Sequence, residues 1–400
     1  MPIHRIDNER RASPTLKSTR GATLPKGANH GKYPAPKALR YSAGGICNFV
    51  LRALLHTLAT PTRFRKRRPI MIVAAVSPHR RTISSARRIC AALLLAGLAG
   101  CTTVPTTRLV QDTGYPDGAL DARSITLVSW NVQKGNGDNW ASLDSDAALR
   151  ARLSGADLLL FQEACAADSN ATNNGGPSVD PLIDLLRERG YGWSLAVGFE
   201  SPLLGCGPDT ATGVLTASRV QPLAVMPLRS RHREFGITPK TAQASTFALR
   251  ESPRSIDDAG PRLLVINAHL LNFEWLGTGD VGDQLAAISA RIAAHAGPVI
   301  LAGDLNTRNQ KRQAQVDRFA ARHDLQPVFG EAPAGRTQSI FGGGHALDHV
   351  YYRGLQVVEP GTVGQEAERG MADHNSLTVR FALPDDKYLS ARLPMPPLAR

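Results

Sequence analysis

Beyond about residue 120 the chain alternates short apolar runs with segments of helical spacing. Residues 124–130 are rich in β-branched side chains and run into Asn131; residues 157–161 are almost wholly apolar and run into Gln162 and Glu163. Short runs of this kind predict buried strands. The same pattern predicts strands over 213–218, 221–228, 262–269, 299–302, 346–352 and 376–382, with a tight connection at Arg219-Val220. Helices are predicted where the period changes. Asp180-Pro181 supplies a cap and a first-turn proline before Leu182, Leu185 and Leu186, and Gly190 closes that helix. Asp280 opens another, with Leu285, Ile288 and Ile292 on one face and Gly297-Pro298 at its end; a polar helix follows over about 308–323.

Most of these strands end in a polar residue that apolar packing does not need. The set is Asn131, Glu163, His269, Asp304, Asn306 and Asp348, with Asp373 and His374 just ahead of the last strand. Polar groups at the rim of a sheet are where a ligand can reach them. Asp304 and Asn306, two apart, would face the same way on an extended backbone, although an ordinary Asx turn after the strand explains the pair equally well.

Charge and cysteines divide the chain in two. The formal net charge of +13 suggests a polyanionic partner, but residues 1–100 hold 19 Lys+Arg against 2 Asp+Glu, leaving 28 against 32 for the rest. The body is therefore mildly acidic, which argues against strong duplex binding. Two basic clusters remain as candidate phosphate contacts: Arg229, Arg231, His232 and Arg233, and Arg308, Lys311 and Arg312.

Residues 1–70 carry no sustained apolar period and are expected to be a disordered, basic extension upstream of a start at Met71. From there, basic residues at 79–81 and 87–88 precede an apolar stretch over 89–99 that has the length of a signal peptide. It ends in Leu-Ala-Gly-Cys (98–101), which resembles the lipobox of bacterial lipoproteins. That resemblance implies a signal peptide over 71–100, lipidation of Cys101, a tether over 101–120 and, from Thr102, an outer-membrane anchor at the cell envelope. Two cysteines, Cys165 and Cys206, stay in the exported part and could pair.

The ordered motifs Ser-Trp-Asn-Val (129–132), Leu-Phe-Gln-Glu (160–163), Asn-Ala-His-Leu (267–270), Ala-Gly-Asp-Leu-Asn (302–306), Leu-Asp-His-Val (347–350) and Ala-Asp-His-Asn-Ser (372–376) resemble those of the endonuclease/exonuclease/phosphatase superfamily. The resemblance runs over 121–384 and leaves 385–400 as a tail. It implies an α/β (α+β) fold, a four-layer sandwich of two mostly antiparallel sheets flanked by helices, with the site in a cleft at one end. It also implies Mg²⁺ (or Mn²⁺) held by Glu163 with help from Asn131 and Asp373, water activation at Asp304, and phosphate contacts from Asn306, His269 and His374, the last supported by Asp348. Whether Asp304 or His374 is the base stays open, as does the substrate: DNA, RNA, a phospholipid headgroup or an inositol phosphate. Ala372 and Ser376 stand where relatives often carry Ser and Pro. A monomer is expected. The competing reading is a non-catalytic phosphate- or lipid-binding lipoprotein that keeps the fold.

Overall fold

Two parallel strand pairs, one in each of two sheets, carry most of the polar strand ends to one edge of the molecule. The computed structural model describes residues 102, 108–112, 114–135, 143, 145–167, 181–202, 204–207, 210–250, 260–273, 280–330, 345–367 and 369–384. The upstream extension, the signal peptide, Cys101 and the tail over 385–400 lie outside the described residues.

The first sheet has seven strands in the order β1-β5-β6-β4-β3-β14-β13. They are β1 (Leu109–Asp112), β3 (Ile125–Asn131), β4 (Leu158–Ala167), β5 (Gly192–Glu200), β6 (Thr210–Ser218), β13 (Gln356–Val363) and β14 (Leu377–Ala382). The second runs β11-β12-β10-β9-β8-β2, with β7 also paired to β8. Its members are β2 (Leu120–Asp121), β7 (Ala224–Glu234), β8 (Thr238–Arg250), β9 (Arg262–His269), β10 (Val299–Asp304), β11 (Gln326–Pro327) and β12 (Asp348–Arg353). Most pairs are antiparallel; β3 with β4, β9 with β10 and β2 with β8 are parallel.

Between the sheets lies a core that includes Leu127, Leu158, Leu160, Val265, Ile300, Ala302, Val379 and Phe381. Helices close both outer faces. On the first sheet, α1 (Ala147–Ser154) buries Leu149 and Leu153, and α2 (Pro181–Glu188) buries Leu182, Ile183, Leu185 and Leu186. On the second, α3 (Val281–Ala293) presents Val281, Leu285, Ile288 and Ile292, and α4 (Gln310–Arg322) presents Val316, Phe319 and Ala320. Their caps are Asp280, which accepts from the Gly282 amide, and Asn309, which accepts from the Arg312 amide. The four-layer sandwich expected from the motifs is the observed architecture.

Two sequence expectations are corrected. The strands over 213–218 and 221–228 do not form a hairpin through Arg219-Val220: β6 stays in the first sheet, whereas β7 crosses to the second and pairs with β8. Nor is the whole of 101–120 a tether. Leu109–Asp112 pairs antiparallel with β5, and Val110 is buried in the outer core of the first sheet, so the domain begins inside that segment.

The two sheets are pinned to each other by a buried amide pair. Gln162 Nε2 donates to Asn267 Oδ1 at 2.8 Å, and Asn267 Nδ2 donates to the carbonyls of Phe161 (3.2 Å) and Leu215 (2.9 Å). Both side chains are fully buried. A misplaced buried amide loses its hydrogen bonds, so this pair specifies the register between sheets more strongly than apolar packing does.

Candidate active site

Parallel pairing puts the carboxyl ends of β3 and β4, and of β9 and β10, at the same edge. Antiparallel pairing adds the amino ends of β12 and β14, with Asp348 directly opposite Asp304. Asn131, Glu163, His269, Asp304, Asn306, Asp373 and His374 thereby line one cavity of about 220 Å³; Asp348 stands behind His374.

Asp304 is the centre. Its Oδ2 accepts from Asn131 Nδ2 at 3.0 Å and lies 3.5 Å from His269 Nε2 and 3.9 Å from His374 Nε2. Its Oδ1 accepts the Asn306 amide at 3.0 Å. The backbone delivers this carboxylate through Gly303, whose φ of 138° lies outside the reach of ordinary side chains, and a Cβ there would fall 2.0 Å from the Ala268 carbonyl oxygen. The strand then stops. Asn306 has φ 51°, so Asp304 and Asn306 reach the cavity through an Asx-type turn and not along an extended strand. Asn306 Nδ2 donates to the Leu270 carbonyl at 2.7 Å, which fixes its orientation.

His374 is held between carboxylates. Its Nδ1 meets Asp348 Oδ2 at 2.7 Å, its Nε2 points toward Asp304, and Asp373 Oδ1 lies 3.7 Å from that nitrogen. Trp130 Nε1 holds the His374 carbonyl at 2.9 Å. The loop is braced below by the buried Glu366, which accepts the Ser376 amide and pairs with Arg152 at 2.6 Å; Arg152 also donates to Ser376 Oγ. Here Ser376, a departure from the family pattern, has a structural task.

The electrostatics separate the roles. Burial alone would lower His374, but the Asp348 charge and hydrogen bond, with Asp304 and Asp373, raise it to about 10. Burial raises Asp304 to about 7, against the pull of His374 and with the push of Asp348. Burial and the nearby Lys240 charge hold His269 neutral, well below the usual histidine range. Asp304, His374 and Asp348 also offer ligand atoms that lie within 4.8 Å of one another. Because His374 Nδ1 is engaged by Asp348, this trio reads as a charged histidine held between two carboxylates.

Glu163 occupies the opposite wall. It is the extra residue of a bulge where β4 pairs with β6, and its φ is 52°. The bulge turns its carboxylate into the cavity. There Oε2 takes Lys134 Nζ at 2.5 Å and Oε1 takes Lys240 Nζ at 3.3 Å, and these cations overcome burial to hold Glu163 well below the usual carboxylate range. Lys240 is shared with Glu234 at 3.5 Å. Neither lysine is among the residues that the sequence pattern picks out. Lys134 sits just past a recognised motif, and Lys240 lies on β8, which polar residues disguise.

Cys165, two residues beyond Glu163, is disulfide-bonded to Cys206 with Cα atoms 6.2 Å apart. The Cys206 sulfur lies 3.5 Å from the Lys134 carbonyl oxygen, so the bridge abuts both the bulge and the lysine turn.

The basic clusters divide. Arg312 is buried and donates to the Leu271 carbonyl, and Arg308 stacks over Phe273 at 4.8 Å and bonds Asn272; both support the cavity wall. Of the segment after His269, Leu270 and Leu271 are core residues, Phe273 faces the cavity, and 274–276 lie outside the described residues.

The donor chemistry suits a hard cation. Glu163 is ionised, Asn131 offers Oδ1 (which also accepts the Gln133 amide), and Asp373 is part-exposed, all of them oxygens in one cavity.

Two packed, mostly antiparallel sheets thus enclose one cavity in which His374, held between Asp348 and Asp304, faces a glutamate wall. The chain belongs to the endonuclease/exonuclease/phosphatase family, whose model matches residues 128–374. Enzymes of that family act on phosphoesters such as nucleic acids and generally depend on divalent metals. Among curated relatives, a UPF0294 protein of Vibrio vulnificus is 31% identical over 66% of this chain and 79% of its own length. A UPF0294 protein of Yersinia pestis is 33% identical over 44% of this chain and 60% of its own. Among solved structures, the endonuclease/exonuclease/phosphatase from Beutenbergia cavernae aligns at 18% identity, with a TM-score of 0.49, over 65% of this chain and 72% of that one. The human Nocturnin catalytic domain with bound sulfate aligns at 16% identity, with a TM-score of 0.46, over 70% and 98%.

Proposed function

We propose that this protein is a Mg²⁺-dependent hydrolase of phosphate esters, of phosphodiesterase or nuclease type, anchored at the bacterial envelope through lipidated Cys101. The observation that carries the chemistry is the setting of Asp304. It is a buried carboxylate raised to about 7 and ringed by Asn131, neutral His269 and charged His374.

A carboxylate that titrates near neutrality accepts a proton from water efficiently, so Asp304 is the base. His374, kept protonated by Asp348, places a positive N–H where charge develops on the phosphoryl group, and His269 Nε2 adds a neutral donor. Asn131 and the Asn306 amide hold the Asp304 carboxylate in place. Glu163, with Asn131 and Asp373, would hold Mg²⁺, or Mn²⁺ in its place. When bound, the ion polarises the phosphoryl oxygen and stabilises the leaving oxygen.

The test is hydrolysis of a chromogenic phosphodiester by the chain from Cys101. Activity is expected with Mg²⁺, and loss in chelator and in Asp304→Ala or Glu163→Ala. Full activity under any of those conditions overturns the assignment. A panel of plasmid DNA, RNA, sphingomyelin and inositol phosphates then assigns the substrate. Anchoring is tested separately by Cys101→Ser, which should move the protein out of the membrane fraction; among the described residues no helix is long and apolar enough to cross a membrane.

A further inference from the structure

The Glu163 wall carries more cation than a metal ligand needs. Each carboxylate oxygen already has an ammonium partner, Lys134 at 2.5 Å and Lys240 at 3.3 Å. Lys134, Glu163, Lys240 and Glu234 sum to zero charge, so this array by itself offers a divalent ion no net charge, and its two ammonium groups would repel the ion. An ion about 2.0–2.1 Å from a Glu163 oxygen would stand within a few ångströms of the ammonium on that oxygen, where like charges repel. Binding is therefore favoured when one lysine gives way.

The two lysines are held differently. Lys240 is triangulated: its second carboxylate, Glu234, is itself fixed by the Asn272 amide at 2.5 Å. Lys134 is paired with Glu163 alone among the described residues. It projects from a short turn in which Gln133, Lys134 and Gly135 all have positive φ (50°, 61° and 61°). Glu163 is aimed into the cavity by the bulge that β4 makes where it pairs with β6.

We propose that Lys134 is the resident counter-ion of Glu163, and that a divalent cation takes this carboxylate only by displacing the Lys134 ammonium. Lys134 thereby sets the affinity of the metal centre, and Lys240 stays as a fixed charge at its edge. The inference rests on the assignment of Glu163 to the metal side.

The test is metal binding by the full chain, read without turnover. Mn²⁺ is titrated into wild type, Lys134→Met, Lys134→Gln and Glu163→Gln, with free ion followed by electron paramagnetic resonance and folding checked by circular dichroism. Removing the competing charge should lower the Mn²⁺ Kd of both Lys134 variants by about tenfold or more, and Glu163→Gln should abolish this binding. Unchanged or weaker binding by both folded Lys134 variants overturns the proposal. Undiminished binding by Glu163→Gln overturns instead the placing of the metal at Glu163. A second measurement uses wild type alone. Acetylation of Lys134, followed by mass spectrometry, should accelerate when Mn²⁺ is added; a lysine equally protected with and without the ion refutes displacement.

Discussion

Asp348→Asn isolates the support of His374 without touching the reacting atoms. Asp348 meets His374 Nδ1 at 2.7 Å and supplies the largest upward push on a histidine that stands at about 10 against an ordinary 6.5. Without that charge, burial lowers His374 and only Asp304 and Asp373 still raise it, so its ring loses its proton at a lower pH. Wild-type activity should rise with pH as Asp304 loses its proton near 7 and fall as His374 loses its own near 10, so the plateau lies between. In the variant the falling limb moves down toward the rising one and the plateau narrows. A donor aimed at developing charge contributes roughly 10²–10³-fold, so kcat should fall by up to that factor, about 2.7–4 kcal/mol of barrier. The assay is kcat on a phosphodiester with an alkoxide leaving group, from pH 5 to 10.5 at saturating Mg²⁺. A variant whose falling limb stays near 10, with kcat within about threefold of wild type, refutes that support.

Three further outcomes follow from the geometry. Asp304 has a folded value near 7 against an ordinary 3.8, so the folded state binds the extra proton and stability falls as pH rises through that window. Asp304→Asn should therefore melt higher than wild type at pH 8 in metal-free buffer, by on the order of 1–3 kcal/mol, while losing activity; a lower melting temperature contradicts this. Gly303→Ala would press a Cβ to 2.0 Å from the Ala268 carbonyl oxygen and should cost on the order of 3 kcal/mol or more, seen as insoluble protein or a collapsed Tm; a near-native melt would show that β10 can shift. Reducing the Cys165–Cys206 bridge, which spans a separation of 41 residues, should cost about 2–4 kcal/mol, and identical denaturant midpoints with and without reductant would dismiss that contribution.

The strands that carry the site are legible because each couples an apolar run to one polar residue that burial cannot explain. That is why Asn131, Glu163, His269, Asp304 and Asp348 stand out together before any geometry. What escapes does so for physical reasons. β8 buries Gln243 and Ser245 between the sheets, so its pattern lacks the apolar signature of a central strand, and Lys240 is hidden with it. In α1, only Leu149 and Leu153 mark the inward face among alanines and arginines. The bulge at Glu163 and the turn at Asn306 depend on positive φ at residues other than glycine, which no local pattern announces. Pairing of Cys165 with Cys206 is open in the sequence, which gives no separation in space; the structure closes it.

The amide pair between the sheets does more than clasp them. Gln162 directly precedes the glutamate of one wall, and Asn267 stands two residues before the histidine of the other. The Gln162–Asn267 bond therefore works as a gauge block, setting the gap between the two halves of the cavity from a point just beneath its floor. A longer or shorter side chain at either position would break that bond and leave a buried amide unpaired. The gap across the cavity thus depends on two buried positions that are not part of its lining.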